Sequence, residues 1–78
     1  MSYRLQIPNL RKAQEVADRF NTSHPVGTRV RYWRGLRLSD PSGEGVTVSD
    51  AQVLGAAPVV WISGCSGCVA LSHVEVIS

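Results

Sequence analysis

Two cysteines two residues apart, in Cys65-Ser66-Gly67-Cys68, are the first place in this sequence where chemistry is conceivable. Thiolates at that spacing hold zinc or cycle between dithiol and disulfide. Zinc takes about four ligands, and the other donors of suitable type are His24, His73 and scattered carboxylates. His73 would approach if the last strand lay beside the cysteine hairpin, which makes Cys65, Cys68 and His73 the alternative metal set. His24 would have to arrive from the far end of the domain. A redox role would lack the helix N-terminus that activates the thiol of thioredoxin-like sites. The plainer expectation is two small residues flanking a tight turn, one or both half-buried, with no metal and no cofactor.

Nucleophilic catalysis needs a serine or cysteine beside a base that a third group orients. Ser72 and His73 are adjacent in sequence, and neighbours on a turn rarely face each other productively. His24 precedes a proline in a loop. Asp40 and Glu44 fall in a glycine-rich segment with no apolar wall to raise a carboxylate pKa. Gly43-Glu44-Gly45 precedes a strand rather than a helix, so it is not a phosphate-binding loop. No constellation meets the requirements of a catalytic site, and the expectation is that the chain is not an enzyme.

The stretch RVRYWRGLR, residues 29–37, places Arg29, Arg31, Arg34 and Arg37 around Tyr32 and Trp33. Seven of the eight basic residues are arginine, whose planar fork suits carboxylates and phosphates and tolerates partial burial. A tryptophan flanked by arginines has the composition of a protein-binding hot spot. It equally suits stacking on a base while the arginines hold phosphates. The plain alternative is that Trp33 packs under the N-terminal helix and the arginines form a solvated rim. The net charge of +2 is too mild to announce a nucleic-acid binder, because Asp40, Glu44 and Asp50 follow the basic block directly. The candidate partner-binding set is Arg29, Arg31, Trp33, Arg34 and Arg37.

These residues must be positioned by a small domain. Seventy-eight residues make a single domain (1–78) whose core contributes roughly 3–5 kcal/mol net, a margin that leaves little for a strained cleft and makes a dimer an open option. The opening MSYRLQIPNL lacks the apolar core and cleavage site of a secretion signal, and no apolar run is long enough to span a bilayer. The expected setting is cytoplasmic, with no membrane partner, where two cysteines stay reduced.

Leu10, Ala13, Val16, Ala17 and Phe20 recur at helical spacing opposite Arg11, Lys12, Glu15, Asp18 and Arg19. This predicts one amphipathic helix from about Leu10 to Phe20, with Asn9 as its N-cap and Asn21 as a left-handed C-cap. Residues 1–27 form the helix and linker. From Thr28 the period changes to two: Val30 and Tyr32 point inward, and Arg29, Arg31 and Trp33 outward. Residues 38–45 read as a turn-rich loop, and 46–55 as a second strand with a bulge near Ser49–Asp50. Residues 58–63 form an apolar third strand. Ser66 and Gly67 make a two-residue corner, CVAL returns as the fourth strand, and Val74 to Ile77 is the last.

The tail ALSHVEVIS, residues 70–78, resembles the end of an SH3-type barrel: a strand, one turn of tight helix and a closing strand. Ser72 and His73 would then occupy the turn, with Val74 and Ile77 in the core. VGTRVRYW, residues 26–33, resembles the first strand of such barrels, with Gly27–Thr28 as the turn leading in. The resemblance implies an α+β, mainly β fold: an N-terminal amphipathic helix followed by a five-stranded SH3-like barrel, or a strongly bent antiparallel sheet, over residues 28–78. The acidic first loop and aromatic doublet of peptide-binding SH3 domains have no counterpart here, so proline-rich ligands are not carried over. Small plasmid-borne dihydrofolate reductases share a similar opening strand, but their Val-Gln-Ile-Tyr active strand is replaced here by Cys68-Val69-Ala70-Leu71.

HPVGTRVRYW, with VLG, VVWISG and ALSHVEVI, is also similar to small proteins of phages and mobile elements. That likeness concerns the kind of gene; together with the small size and the absence of catalytic groups it leads to the expectation of a non-catalytic module acting on a host protein or protein complex, such as a CRISPR-Cas effector that an anti-CRISPR-type inhibitor would occupy. The alternative is a nucleic-acid-binding SH3-like barrel using the arginine/aromatic strand.

Overall fold

The computed structural model describes residues 8–35 and 40–77. Among these the chain forms one helix, α1 (Pro8–Ser23), and six short strands. The strands are β1 (Arg29–Tyr32), β2 (Gly43–Val46), β3 (Gln52–Leu54), β4 (Ala57–Trp61), β5 (Cys68–Ala70) and β6 (Val74–Val76). A single 3₁₀ turn, Leu71–His73, links β5 to β6. The architecture is mainly β with one helix: two three-stranded antiparallel sheets, ordered β2-β1-β6 and β3-β4-β5. The expectation of five strands is thus corrected to six in two sheets, and neither sheet closes into a barrel.

α1 starts at Pro8, a residue pre-set for the first helical turn, where a missing N–H costs nothing. Asn9 therefore lies inside the helix rather than ahead of it. At the other end the helix runs past the expected stop, and Asn21 is helical. No described residue other than glycine has a positive φ. The Asn21 side chain instead clamps the sheet: Nδ2 donates to the Ala51 carbonyl at 3.0 Å, and Oδ1 accepts from the Ala51 N–H at 2.7 Å. Ala13 and Ala17 are buried, and their small size lets the helix lie close on β3 and β4, the strands it contacts most.

The core joins Ala17 to Val30, Tyr32, Ala51, Val60, Ile62, Val69 and Val74. Val30 and Tyr32 point inward as the two-residue period requires. On β4 the neighbours Val59 and Val60 are both buried. Successive side chains point to opposite faces, so this strand is covered on both sides.

β2 begins at Gly43, inside the segment that composition reads as a loop. Its glycines serve close approach rather than a turn. A Cβ on Gly43 would meet the Tyr32 hydroxyl at 2.7 Å, and one on Gly45 would meet the Ser63 carbonyl oxygen at 2.6 Å and Ile62 Cγ2 at 2.9 Å. The chain then leaves the first sheet at Thr47, which bridges Ile62, the residue that follows β4. The second expected strand is broken there, with residues 48–51 between β2 and β3. The β4–β5 connection is longer than a two-residue corner: it spans residues 62–67 and turns through Gly64 (φ 76°) and Gly67 (φ 80°).

Gly45→Ala is expected to lose about 1–3 kcal/mol in chemical denaturation, because the new methyl overpacks backbone that cannot yield. Gly35→Ala, where nothing lies within 4 Å of the new Cβ, is expected to change stability by less than about 0.5 kcal/mol. Equal stability of the two variants would contradict the close approach of β2 to residues 62–63.

Candidate functional site

Strand alternation sets Arg29 and Arg31 on the face opposite Val30 and Tyr32, and pairing decides what they meet. β1 is the central strand of its sheet, so Arg31 stands directly across from Glu44 on β2 and Glu75 on β6. Arg31 Nη2 lies 3.6 Å from Glu44 Oε2, and Nη1 lies 3.6 Å from Glu75 Oε1. Arg29 reaches the other oxygen of Glu44 at 4.0 Å. Two cations and two carboxylates thus form a cross-strand ladder whose charges sum to zero. The side chains remain 37–62 % exposed, so water screens each pair and none is worth more than about 1 kcal/mol. Arg31 Nε is buried without a partner, and this cost lowers the ladder's net contribution further.

Trp33 follows the last residue of β1, and there the alternation stops governing its direction. Its backbone N–H donates to the His73 carbonyl at 3.0 Å, and the residue is 8 % exposed. It lines a cleft of about 250 Å³ with Arg34, Cys65, Ser66, Cys68, Val69, Ala70 and His73. Burial therefore comes with β5, the 62–67 connection and the 3₁₀ turn around it. A base-stacking or hot-spot role would require an open indole face, which this residue does not offer.

Arg34 departs from the other arginines. Its N–H donates to Ser42 Oγ at 2.8 Å, which fixes the backbone just past β1. Its guanidinium Nη2 donates to Cys65 Sγ at 3.3 Å and to the Ser66 carbonyl at 3.1 Å. The hydrogen bond to Cys65, then the charge interaction with it, raises the Arg34 pKa above its already high value. Arg34 is exposed and lies at the rim of the cleft. Arg37 lies outside the described residues.

Cys65 and Cys68 are both free and half-buried. Among the described residues no group of three or more His, Cys, Asp or Glu side chains is gathered as a metal ion would need. Cys65, Cys68 and His73 share the cleft lining without forming such a set. His24, the other candidate ligand, lines a separate cleft with Phe20 and Leu71. No helix among the described residues is long and apolar enough to cross a membrane.

Sequence reasoning missed both partners of Arg31. Glu44 reads as a loop carboxylate because glycines flank it, and Glu75 stands out only once β6 is known to pair with β1. Knowing the register would have found them. The contact between Arg34 and Cys65 spans 31 residues and has no local signal.

Removing both carboxylates as Glu44→Gln with Glu75→Gln is expected to destabilise the protein by about 1 kcal/mol at low ionic strength. The difference should fade near 1 M salt, where the screening length falls to about 3 Å. Thermal or urea melts at two salt concentrations check this; a loss that persists unchanged at high salt would mean the ladder acts by packing rather than by charge.

No protein-family model, curated protein or solved structure matches the chain.

Proposed function

We propose that the chain is a non-catalytic binding module that docks on another protein through the β1 face that carries Arg29 and Arg31, with Arg34 and Arg37 as the further contact residues. The observation that carries this reading is the position of Arg31 between Glu44 and Glu75. A ladder of fixed, alternating charges suits a protein surface of complementary pattern, since electrostatic complementarity sets register and rejects wrong partners more than it adds affinity. A nucleic-acid grip draws its affinity from cations that displace counterions at phosphates, and cations already matched by internal carboxylates contribute little to that. Trp33 is buried and is not the contact point in this reading.

The fold is read further as an SH3-like barrel whose second strand is split. The order β2-β1-β6 and β3-β4-β5, the Thr47–Ile62 bridge and the 3₁₀ turn before the last strand support that reading. Its setting is taken from the likeness of HPVGTRVRYW and ALSHVEVI to proteins of phages and mobile elements: a host-defence inhibitor that occupies its target, with a CRISPR-Cas effector as the first candidate. The size of the chain and the charge pattern of the face suit an occupying role, in which binding itself is the activity.

Immobilised wild-type protein and an Arg29→Glu, Arg34→Glu variant, both verified as folded, should be compared against purified CRISPR-Cas effector complexes and host lysate. A saturable partner held by the wild type and lost by the variant is expected. A partner retained at full strength by the variant would place the contact surface elsewhere.

A further inference from the structure

Arg34 and the cysteine pair, far apart in sequence, meet in one place. Cys65 Sγ accepts from Arg34 Nη2 at 3.3 Å, while the neighbouring Ser66 carbonyl accepts from the same nitrogen at 3.1 Å. The sulfur also lies 4.0 Å from the Ser66 carbonyl oxygen. Arg34 therefore holds the sulfur and the adjoining peptide together as a two-point clamp. Cys65 packs against the core cluster, which limits the directions its side chain can take. Cys68 opens β5 across from Trp61. Bends at Ser66 and Gly67 turn the chain between the two cysteines, and both line the open cleft with Trp33 and His73.

We propose that Cys65 and Cys68 form a peroxide-reactive dithiol site, in which Cys65 is the attacking thiol, Arg34 stabilises its charge, and Cys68 resolves the product to an intrachain disulfide. The co-substrate class is a small hydroperoxide, which the open cleft admits. The nucleophilic form of a cysteine sulfur is the thiolate, and the Arg34 guanidinium is placed to donate a charge-assisted hydrogen bond to this sulfur. The raised pKa of Arg34, caused first by its hydrogen bond to Cys65, agrees with this geometry.

The step balances without a metal or cofactor. The Cys65 sulfur attacks the distal oxygen of ROOH, the O–O bond breaks, and the thiol becomes a sulfenic acid while the departing alkoxide takes up a proton as ROH. The Cys68 sulfur then attacks the Cys65 sulfur and displaces hydroxide, which leaves as water with the proton from Cys68. Two thiols and one hydroperoxide give one disulfide, one alcohol and one water. The sulfurs lose two electrons and the peroxide gains them. When the disulfide forms, the Cys65 sulfur no longer carries negative charge, and Arg34 keeps the Ser66 carbonyl as its acceptor.

The test uses the folded full chain, hydrogen peroxide as the probe and mass spectrometry as the readout. One equivalent of peroxide per chain is expected to remove two thiols per chain and give a monomeric product lighter by two hydrogens. Cys68→Ser should instead accumulate a Cys65 sulfenic acid that dimedone traps. Arg34→Met should slow iodoacetamide alkylation of Cys65 on the order of tenfold, with Cys68 in the same molecule as the internal reference, and Arg34→Lys should restore part of the rate. A structural role for Arg34 would alter both cysteines or neither. Two free thiols after peroxide, a disulfide between chains, or an Arg34→Met protein whose Cys65 reacts at the wild-type rate would each overturn the proposal.

Discussion

The buried hydroxyl of Thr47 is the joint on which the rest of the molecule turns. At 2 % exposure it is the one buried polar side chain among the described residues, and it must be satisfied internally because an unpaired buried hydroxyl costs about 1–3 kcal/mol. Its Oγ1 accepts from the Gly27 N–H at 3.0 Å and from the Thr28 N–H at 3.2 Å. Its backbone N–H donates to the Thr28 carbonyl at 2.9 Å, and its carbonyl accepts from Gly27 at 2.8 Å. The same residue bridges Ile62, and Val48 beyond it donates to the Trp61 carbonyl at 3.0 Å. One threonine thereby ties the lead-in to β1, the end of β2 and the end of β4. A valine of the same shape would fill the space and leave the donors at 27 and 28 with less to bond.

What the joint positions explains the candidate site. Because residues 46–48 run alongside 61–63, Ser63 donates to the Val46 carbonyl and its hydroxyl accepts from the Val46 N–H. The connection that follows, residues 62–67, is thereby held beside the first sheet. Ser42, bonded to both Tyr32 and Arg34, fixes where the chain emerges from β1. Cys65 and Arg34 meet as a consequence of these two anchors. The geometry of the cleft is thus inherited from backbone pairing, and Arg34 lines it while Arg29 and Arg31, which form the ion pairs, do not.

Those ion pairs contribute little to folding. Each is screened, and Arg31 carries an unpartnered buried nitrogen, so a large stabilising role is ruled out on magnitude. Their effect is to hold the β1 arginines in place and to cancel their charge locally. In the folded chain two arginines of the segment that looks like a phosphate grip in sequence, Arg29 and Arg31, stand against Glu44 and Glu75. Arg34 is the exception, since its acceptors are a sulfur and a carbonyl rather than a carboxylate. The inward pair Val30 and Tyr32, the single helix and the tight turn at Leu71–His73 are legible in the sequence, because each follows from local periodicity or turn chemistry. Other features are not. Gly43 and Gly45 look like turn residues although they belong to a strand, since what they avoid is a clash with Tyr32 and with residues 62–63. Trp33 breaks the alternation because β1 ends one residue earlier, and Glu44 and Glu75 become partners of Arg31 only through a register that no local pattern specifies.

The most direct measurement of the central claim, that internal carboxylates neutralise the arginine face, is the binding of a fluorescent oligonucleotide at low salt to the wild-type protein and to a chain carrying Glu44→Gln and Glu75→Gln. The account predicts no saturable binding by the wild type and a gain in the variant that falls steeply with added salt, as phosphate contacts require. Tight binding by the wild-type chain, unchanged when the two carboxylates are neutralised, would contradict it.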